Sequence, residues 1–392
     1  MLGLLGLAMA SVMPVRAQET GATNAQSGPV VTGYLDYQEV SYSFVNWGAR
    51  IGSKAPVFKK EPALSGSKVV RGTLQLGANP SEEMSFAWDR NAGKLYLDLN
   101  RNLDLTDDPV SVYPRQRGSG DNYQCFNNIH LPFITPAGSH PMLADINLYY
   151  YGRLSCNVAM RSFWQGKVIL QGEEWQVGLL ANPFERQGSE SGHLLLRPWT
   201  ERSRPFSTYS GSLDAVPFSR NLFIRNHAYQ LQCTNEIQGG TAKVRMEFTE
   251  QTPKLGDLKI AGSFVQRVTL EGGPYLVVVE QPEGAVKVPV GSYSTTKVWL
   301  KKGEAEASRE DRTQSLAGRI IVNEKKPAVL TAGGPLTNSV SVDRRGKYLA
   351  LNYQLLGAGG AYQLVNQDRS HPPEFTIYQG DKKVASGKFE FG

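Results

Sequence analysis

The sequence predicts an all-β protein: several antiparallel β-sandwich or barrel-like modules, with little helix. Three observations predict it. Apolar and polar residues alternate with period two in windows 95–99, 166–172, 242–248, 347–353 and 374–378, and successive strand residues face opposite sides of a sheet. Turn signals separate such windows, at Gln171-Gly172, Glu271-Gly272-Gly273-Pro274, Arg345-Gly346 and Gln379-Gly380-Asp381. No window of fifteen residues carries an apolar stripe at helical spacing. The 40 glycines and 22 prolines favour tight turns over long helices.

Taken in order, residues 1–17 read as a signal peptide. An apolar run, Leu2 to Met13, leads to small residues Val15 and Ala17 ahead of a cleavage point before Gln18. Residues 18–30 form a polar, flexible leader. A first β-rich domain is expected over 31–255. The turn at Thr252-Pro253 opens a β-sandwich-like module over 256–325, and Lys325-Lys326-Pro327 leads into a C-terminal β module over 326–392. The alternative joins these last two modules in one domain. The charged run 301–313 is expected to be a solvated hairpin tip or a hinge. No other segment offers eighteen uninterrupted apolar residues, so no transmembrane segment is expected once the signal is removed. Export to the periplasm, cell surface or exterior follows.

Charge excludes one class of partner. Lys and Arg number 42 against 36 Asp and Glu, and the small excess is not clustered as a nucleic-acid surface requires. Three cysteines, Cys125, Cys156 and Cys233, contain no CxxC pair. An oxidising compartment permits one disulfide, with Cys125 and Cys156 nearest in sequence. Three buried free thiols are the equal alternative.

The densest chemistry lies just after the window at 95. Oxygen-bearing side chains fall at alternate positions, Asp98, Asn100, Asn102 and Asp104, followed by Asp107 and Asp108. A hard cation such as Ca²⁺ takes six to eight oxygens at short range, and a loop that turns alternate side chains inward supplies them. The D-x-N-x-N start resembles the calcium loops of EF-hand and dockerin modules. That resemblance implies Asp98, Asn100 and Asn102 as side-chain ligands, with Asp104 ligating by carbonyl or side chain. Leu103 stands where that family has glycine, and Pro109 where it has the bidentate carboxylate. Asp107 or Asp108 would then take the latter role. A cation-free turn rich in Asx side chains is a second possibility. One long amphipathic strand, with leucines at 95, 97, 99, 103 and 105 on one face, is a third.

A catalytic centre is not legible. The five histidines show no zinc spacing, and Gly188–Gly192 centres on Glu190 where a nucleophile elbow needs serine. The aromatics Tyr149, Tyr150, Tyr151, Phe163, Trp164, Trp175 and Trp199 are candidates for sugar stacking or for a core. Val288-Pro289-Val290-Gly291-Ser292-Tyr293 is similar to a turn-and-strand of surface β modules, and the C-terminal half resembles immunoglobulin-like β-sandwiches. The whole chain also resembles uncharacterised exported bacterial proteins that join an acidic loop to such modules. These resemblances imply architecture and no activity. The sequence points to a non-enzymatic binding or scaffolding protein of the bacterial envelope, calcium-stabilised, with an envelope protein or polysaccharide as partner. The alternative is a secreted carbohydrate-active hydrolase whose carboxylates the sequence does not single out.

Overall fold

A computed structural model describes residues 28–40, 45–52, 54–76, 83–108, 110, 112–135, 138–180, 192–204, 206, 212–310, 318–365 and 372–390. The expected signal peptide and most of the leader lie outside them. Among the described residues strand makes up 68%, and no α-helix forms. The architecture is therefore the predicted one, antiparallel sheets, with a 3₁₀ turn at Trp199–Glu201.

The first half is two sheets face to face. Strands β2 (Val45–Ile51), β3 (Val69–Gln75), β4 (Glu83–Asp89), β5 (Lys94–Leu97), β6 (Val112–Pro114), β7 (Tyr123–Thr135), β8 (Gly138–Tyr150) and β9 (Leu154–Met160) form an eight-stranded sheet in the order β6-β5-β4-β3-β2-β9-β8-β7. Opposite it run β1 (Val30–Glu39), β10 (Ser162–Leu170), β11 (Glu173–Leu180), β12 (His193–Pro198), β13 (Ala215–Pro217), β14 (Asn221–Ile224), β15 (His227–Gln238) and β16 (Thr241–Gln251). Between them lies the larger core, which takes Met84, Phe86 and Trp88 from one sheet and Val168, Trp175 and Phe248 from the other. Alternation in β16 is the reason: Val244, Met246 and Phe248 are buried while Lys243, Arg245 and Glu247 are not.

Strands β17 (Leu255–Ala261), β18 (Val265–Glu271), β19 (Leu276–Glu280), β20 (Ala285–Pro289), β21 (Gly291–Lys302), β22 (Ala305–Glu310), β23 (Ile320–Val322) and β24 (Ala328–Thr331) build the second half. Then follow β25 (Gly333–Arg345), β26 (Tyr348–Ala358), β27 (Gly360–Leu364), β28 (Glu374–Gln379) and β29 (Lys382–Lys388). The second core joins Leu258, Val268 and Val298 with Ala328, Leu330 and Tyr362. Parallel pairing of β17 with β24 crosses residue 326, so both sides of that point share this core. Strands β20, β17 and β24 form a three-stranded sheet, and β28 and β29 a two-stranded one. The described part of the charged run, 301–310, is a hairpin: β21 and β22 pair antiparallel from Lys302–Ala305 inward, and Gly303 turns at φ 58°; 311–313 lie outside the described residues.

One sheet runs through both halves because β14 pairs parallel with β19, Leu222 beside Leu276 and Ile224 beside Val278. These two strands form a wall between the cores. Leu222, Ile224, Leu276 and Val278 face the first core, while Phe223, Val277 and Val279 face the second. A strand buried on both faces reads as an unbroken apolar run, as Leu276–Val279 does.

Two tyrosines close corners of the second core. The Tyr293 hydroxyl donates to the Pro289 carbonyl at 3.0 Å, and Tyr362 does the same to Ala358 at 2.9 Å while accepting from the Gly333 amide at 2.8 Å. Tyr293 so pins the crossover from β20 in one sheet to β21 in another, as in a sandwich, whereas Tyr362 pins the β26–β27 hairpin.

Candidate functional site

Three polar concentrations are candidates. The first is the acidic loop. Strand β5 stops at Leu97, so the long amphipathic strand does not form. Asp98 is buried at 1% exposure, and its carboxylate accepts the Asn102 and Leu103 amides, both at 3.0 Å. Its own amide donates to Ser85 on β4 at 2.9 Å, which fixes the loop to the sheet. Arg101 at φ 62° and Leu103 at φ 67° make the left-handed turns. Leu103 thus takes the conformation for which the calcium families use glycine, at a cost of roughly 1 kcal/mol.

The six expected ligands are linked by hydrogen bonds, the Asp104 amide donating to Asn102 at 2.7 Å and the Asn100 amide to Asp108 at 3.1 Å. Asp98, Asn100, Asn102 and Asp107 share one network: the two asparagine amides donate to Asp107 at 3.1 and 2.6 Å, and the Asn102 backbone reaches both Asp98 and Asn100. Asp104 turns to the Thr106 amide and hydroxyl, bonds that hold its carboxyl below the usual range. Asp108 accepts the Leu99 and Asn100 amides at 3.0 and 3.1 Å. Burial, and then the nearby charges of Asp98 and Asp107, push the Asp108 carboxyl up against those bonds. No three of His, Cys, Asp and Glu among the described residues stand together as a metal group. A cation here therefore needs the asparagine carbonyls as ligands, with both amides turned over. Each Asp98 oxygen keeps a second lone pair for it.

The loop also does a structural task. Lys59 donates to Leu103 at 2.8 Å and Leu105 to Lys60 at 3.1 Å. Segment 58–64 is so held against the sheet, over a small core of Ala87, Tyr96 and Leu105 with Phe58 and Leu64.

The second concentration is a cleft of about 160 Å³, bounded by the β10–β11 turn, the β14–β15 turn and the strands that leave them, and lined by Gln171, Glu173, Trp175, Arg225, His227 and Tyr229 among others. Gln171 and His227 both reach Glu250, at 2.9 and 3.3 Å. Arg225 covers the buried Trp175 ring at 4.7 Å and pairs with Glu173 at 2.5 Å and Glu280 at 2.9 Å. Burial, aided by the Glu250 and Glu173 charges, pushes the Tyr229 phenol up to about 12. Chemically the cleft offers carboxylates, an amide and an imidazole over an aromatic floor, groups that suit a small polyhydroxylated ligand.

The third is a buried seam where β18 and β21 meet the β12–β13 region. Arg267 is 6% exposed. It donates to the Leu213 carbonyl at 2.5 Å, to Leu196 at 3.3 Å and to Glu280 at 2.5 Å. Lys297 donates to the Ser212 carbonyl at 2.6 Å and lies 4.0 Å from Glu310. Burial pulls the Lys297 ammonium down to about 8, against the pull of Glu310. The same burial, with Lys297 nearby, lowers His193. Alongside, Arg197 and Asp214 form an ion pair with both side chains almost fully buried, and Asp214 also takes Arg204 at 3.0 Å.

Other sequence candidates disperse. Phe163, Trp164 and Trp175 are core residues, whereas Tyr151 is 71% exposed. All three cysteines are free. Cys125 on β7 and Cys156 on β9 are separated by β8. Two strand spacings are roughly 9.5 Å, beyond the ~7 Å that a disulfide spans. Residues 188–191 and His371 lie outside the described residues. Sequence reasoning missed the cleft and the seam because each joins strands far apart in the chain. The Gln171-Gly172 turn signal marked only one wall of the cleft. No family model, no curated protein and no solved structure matches the chain.

Proposed function

We propose that the chain is an exported, non-enzymatic scaffolding or binding protein of the bacterial envelope, stabilised by Ca²⁺ at residues 98–108. The observation that supports the scaffold reading is the wall of β14 and β19, whose alternate residues enter both cores. Modules that share a wall cannot rotate about a linker, so surfaces at the two ends keep a fixed separation. That is a scaffold's property, and it serves an envelope protein or polysaccharide as partner. The partial network of Asp98, Asn100, Asn102 and Asp107 and the crowding of charge felt by Asp108 support the cation.

Fractionation of cells that make the full chain tests the export reading. Mature protein in the envelope or medium, beginning at Gln18, is expected; a cytosolic product with Met1 intact overturns it. For calcium, melting is expected to rise on adding the ion to chelator-treated protein, and Asp98→Ala to abolish the rise. Identical melting in both conditions removes the cation from the proposal.

The cleft favours a second reading, a carbohydrate-active hydrolase. Its Glu173 and the adjoining Glu250 are carboxylates beside an aromatic floor. Incubation with envelope polysaccharides decides between them. New reducing ends that vanish in Glu173→Gln would establish the hydrolase and dismiss the scaffold.

A further inference from the structure

The hairpin of β25 and β26 separates its side chains by polarity. Directly opposed residues of an antiparallel pair share a face. Val340 with Tyr353, Val342 with Leu351 and Arg344 with Leu349 therefore form one face, and Ser339 with Gln354 and Ser341 with Asn352 the other. The first is apolar up to Arg344 at its end. Toward the base it is covered, since the Tyr353 ring lies 5.3 Å from Phe389, which meets Phe375 in turn. Toward the turn it is bare: Val340, Val342 and Leu349 are 43, 57 and 54% exposed, while Tyr348, opposed to Arg345, belongs to the other face. A continuous bare apolar strip on a folded chain marks a surface that something covers.

Charge says what covers it. The strip ends at Arg344, and the turn beside it carries Lys347, against the single carboxylate Asp343 on the other face; Gly346 at φ 63° closes the turn tightly. An apolar strip that ends in cations matches a bilayer boundary. Hydrocarbon takes the aliphatic side chains, and anionic headgroups take the cations. We infer that the β25–β26 hairpin lies flat on an anionic lipid surface, its Val340, Val342 and Leu349 face inward and its Ser341 and Asn352 face to water. The inference names a partner for the envelope scaffold and rests on that reading for its setting.

Vesicle flotation tests it with the full chain. Vesicles of equal parts phosphatidylglycerol and phosphatidylcholine are expected to carry the protein upward, and phosphatidylcholine alone to carry far less. A cation at an anionic surface raises partitioning by about fivefold, so Arg344→Glu with Lys347→Glu is expected to lower it by more than ~20-fold. Val342→Asp with Leu349→Asp is expected to lower it by at least tenfold. All four positions are exposed, and unchanged melting shows that the variants fold. The N-terminal apolar run is common to every chain compared, so it cancels. Raised ionic strength is expected to release the wild-type protein and supplies a test that needs no variant.

Absent flotation of the wild type, or equal flotation of wild type and both variants, overturns the inference. So does self-association that Val342→Asp with Leu349→Asp abolishes while vesicles are ignored, because a second copy would then be the occupant. Any of these leaves the fractionation result standing, so failure of the hairpin and failure of the scaffold reading are told apart.

Discussion

Tyr293 shows how much one side chain carries in this fold. Its ring is fully buried, its hydroxyl closes the corner to Pro289, and burial, with Tyr275 nearby, pushes the phenol far up. Two glycines make room for it: a Cβ on Gly273 would meet the ring at 2.3 Å, and one on Gly291 would meet it at 3.1 Å. Tyr293→Phe removes a buried donor and leaves a carbonyl unpaired, so it is expected to cost about 1–3 kcal/mol in denaturant unfolding. Gly273→Ala is expected to cost more, because the ring has nowhere to move. Asp98 is the comparable residue of the first half. Asp98→Ala strips an acceptor from two amides and is expected to cost about 2–3 kcal/mol, measured with chelator present so that any cation contribution is absent. A loss below a few tenths of a kcal/mol in either case would mean that the bond is replaced by water.

At the scale of elements, alternation and turn chemistry were legible and pairing was not. Windows 166–172, 242–248, 347–353 and 374–378 fall in β10, β16, β26 and β28 or in the turns that end them. Gln171 at φ 51° and Gly172 at φ 78° turn where the sequence placed a turn. Alternation at 95–99 failed halfway, since Asp98 gains more by accepting two amides than by continuing β5. The acidic loop was therefore found by its composition, while the hydrogen bonds that its six oxygen-bearing residues make to one another were not. Seam residues were invisible for a different reason. Arg267 and Lys297 sit in alternating strands as ordinary outward-facing cations, and only the packing of a distant loop buries them. That burial has a pH consequence. Unfolded Lys297 keeps its proton to the usual 10.5, whereas the folded one loses it near 8. From pH 8 upward the unfolded chain thus binds more protons, and stability rises with pH by up to ~1.4 kcal/mol per unit. Buried Cys156 and half-buried Cys233 act in the opposite sense above their ordinary 9.0, because desolvation raises both thiols in the fold. Stability is expected to climb between pH 8 and 9 and then to turn over. Lys297→Met is expected to remove the climb and keep the fall, read from denaturation midpoints across that range.

For the whole molecule, the wall of β14 and β19 decides how the parts come apart. Sequence breaks at 252 and 326 separate runs of strands, yet neither break separates cores. The second core takes Phe223 and Ala228 from before the first break and Ala328 and Leu330 from after the second. A chain whose modules merely touched would melt in two steps, each sensitive to its own mutations. Here Leu276–Val279 sends alternate side chains into both cores, so loss of either core strips one face of the strand that closes the other. Unfolding is expected as a single calorimetric transition, with van't Hoff and calorimetric enthalpies equal. Val277→Ala and Val278→Ala remove side chains on opposite faces of one strand. Each is expected to cost about 1–3 kcal/mol and to lower that one transition as a whole. Arg267→Met probes the seam that reinforces the wall. If the two halves are coupled chiefly by the shared strands, the variant still melts once, at lower temperature. Two resolved transitions in the wild type, or a Val277→Ala that moves only one of them, would show that the modules are independent bodies and would remove the rigid scaffold.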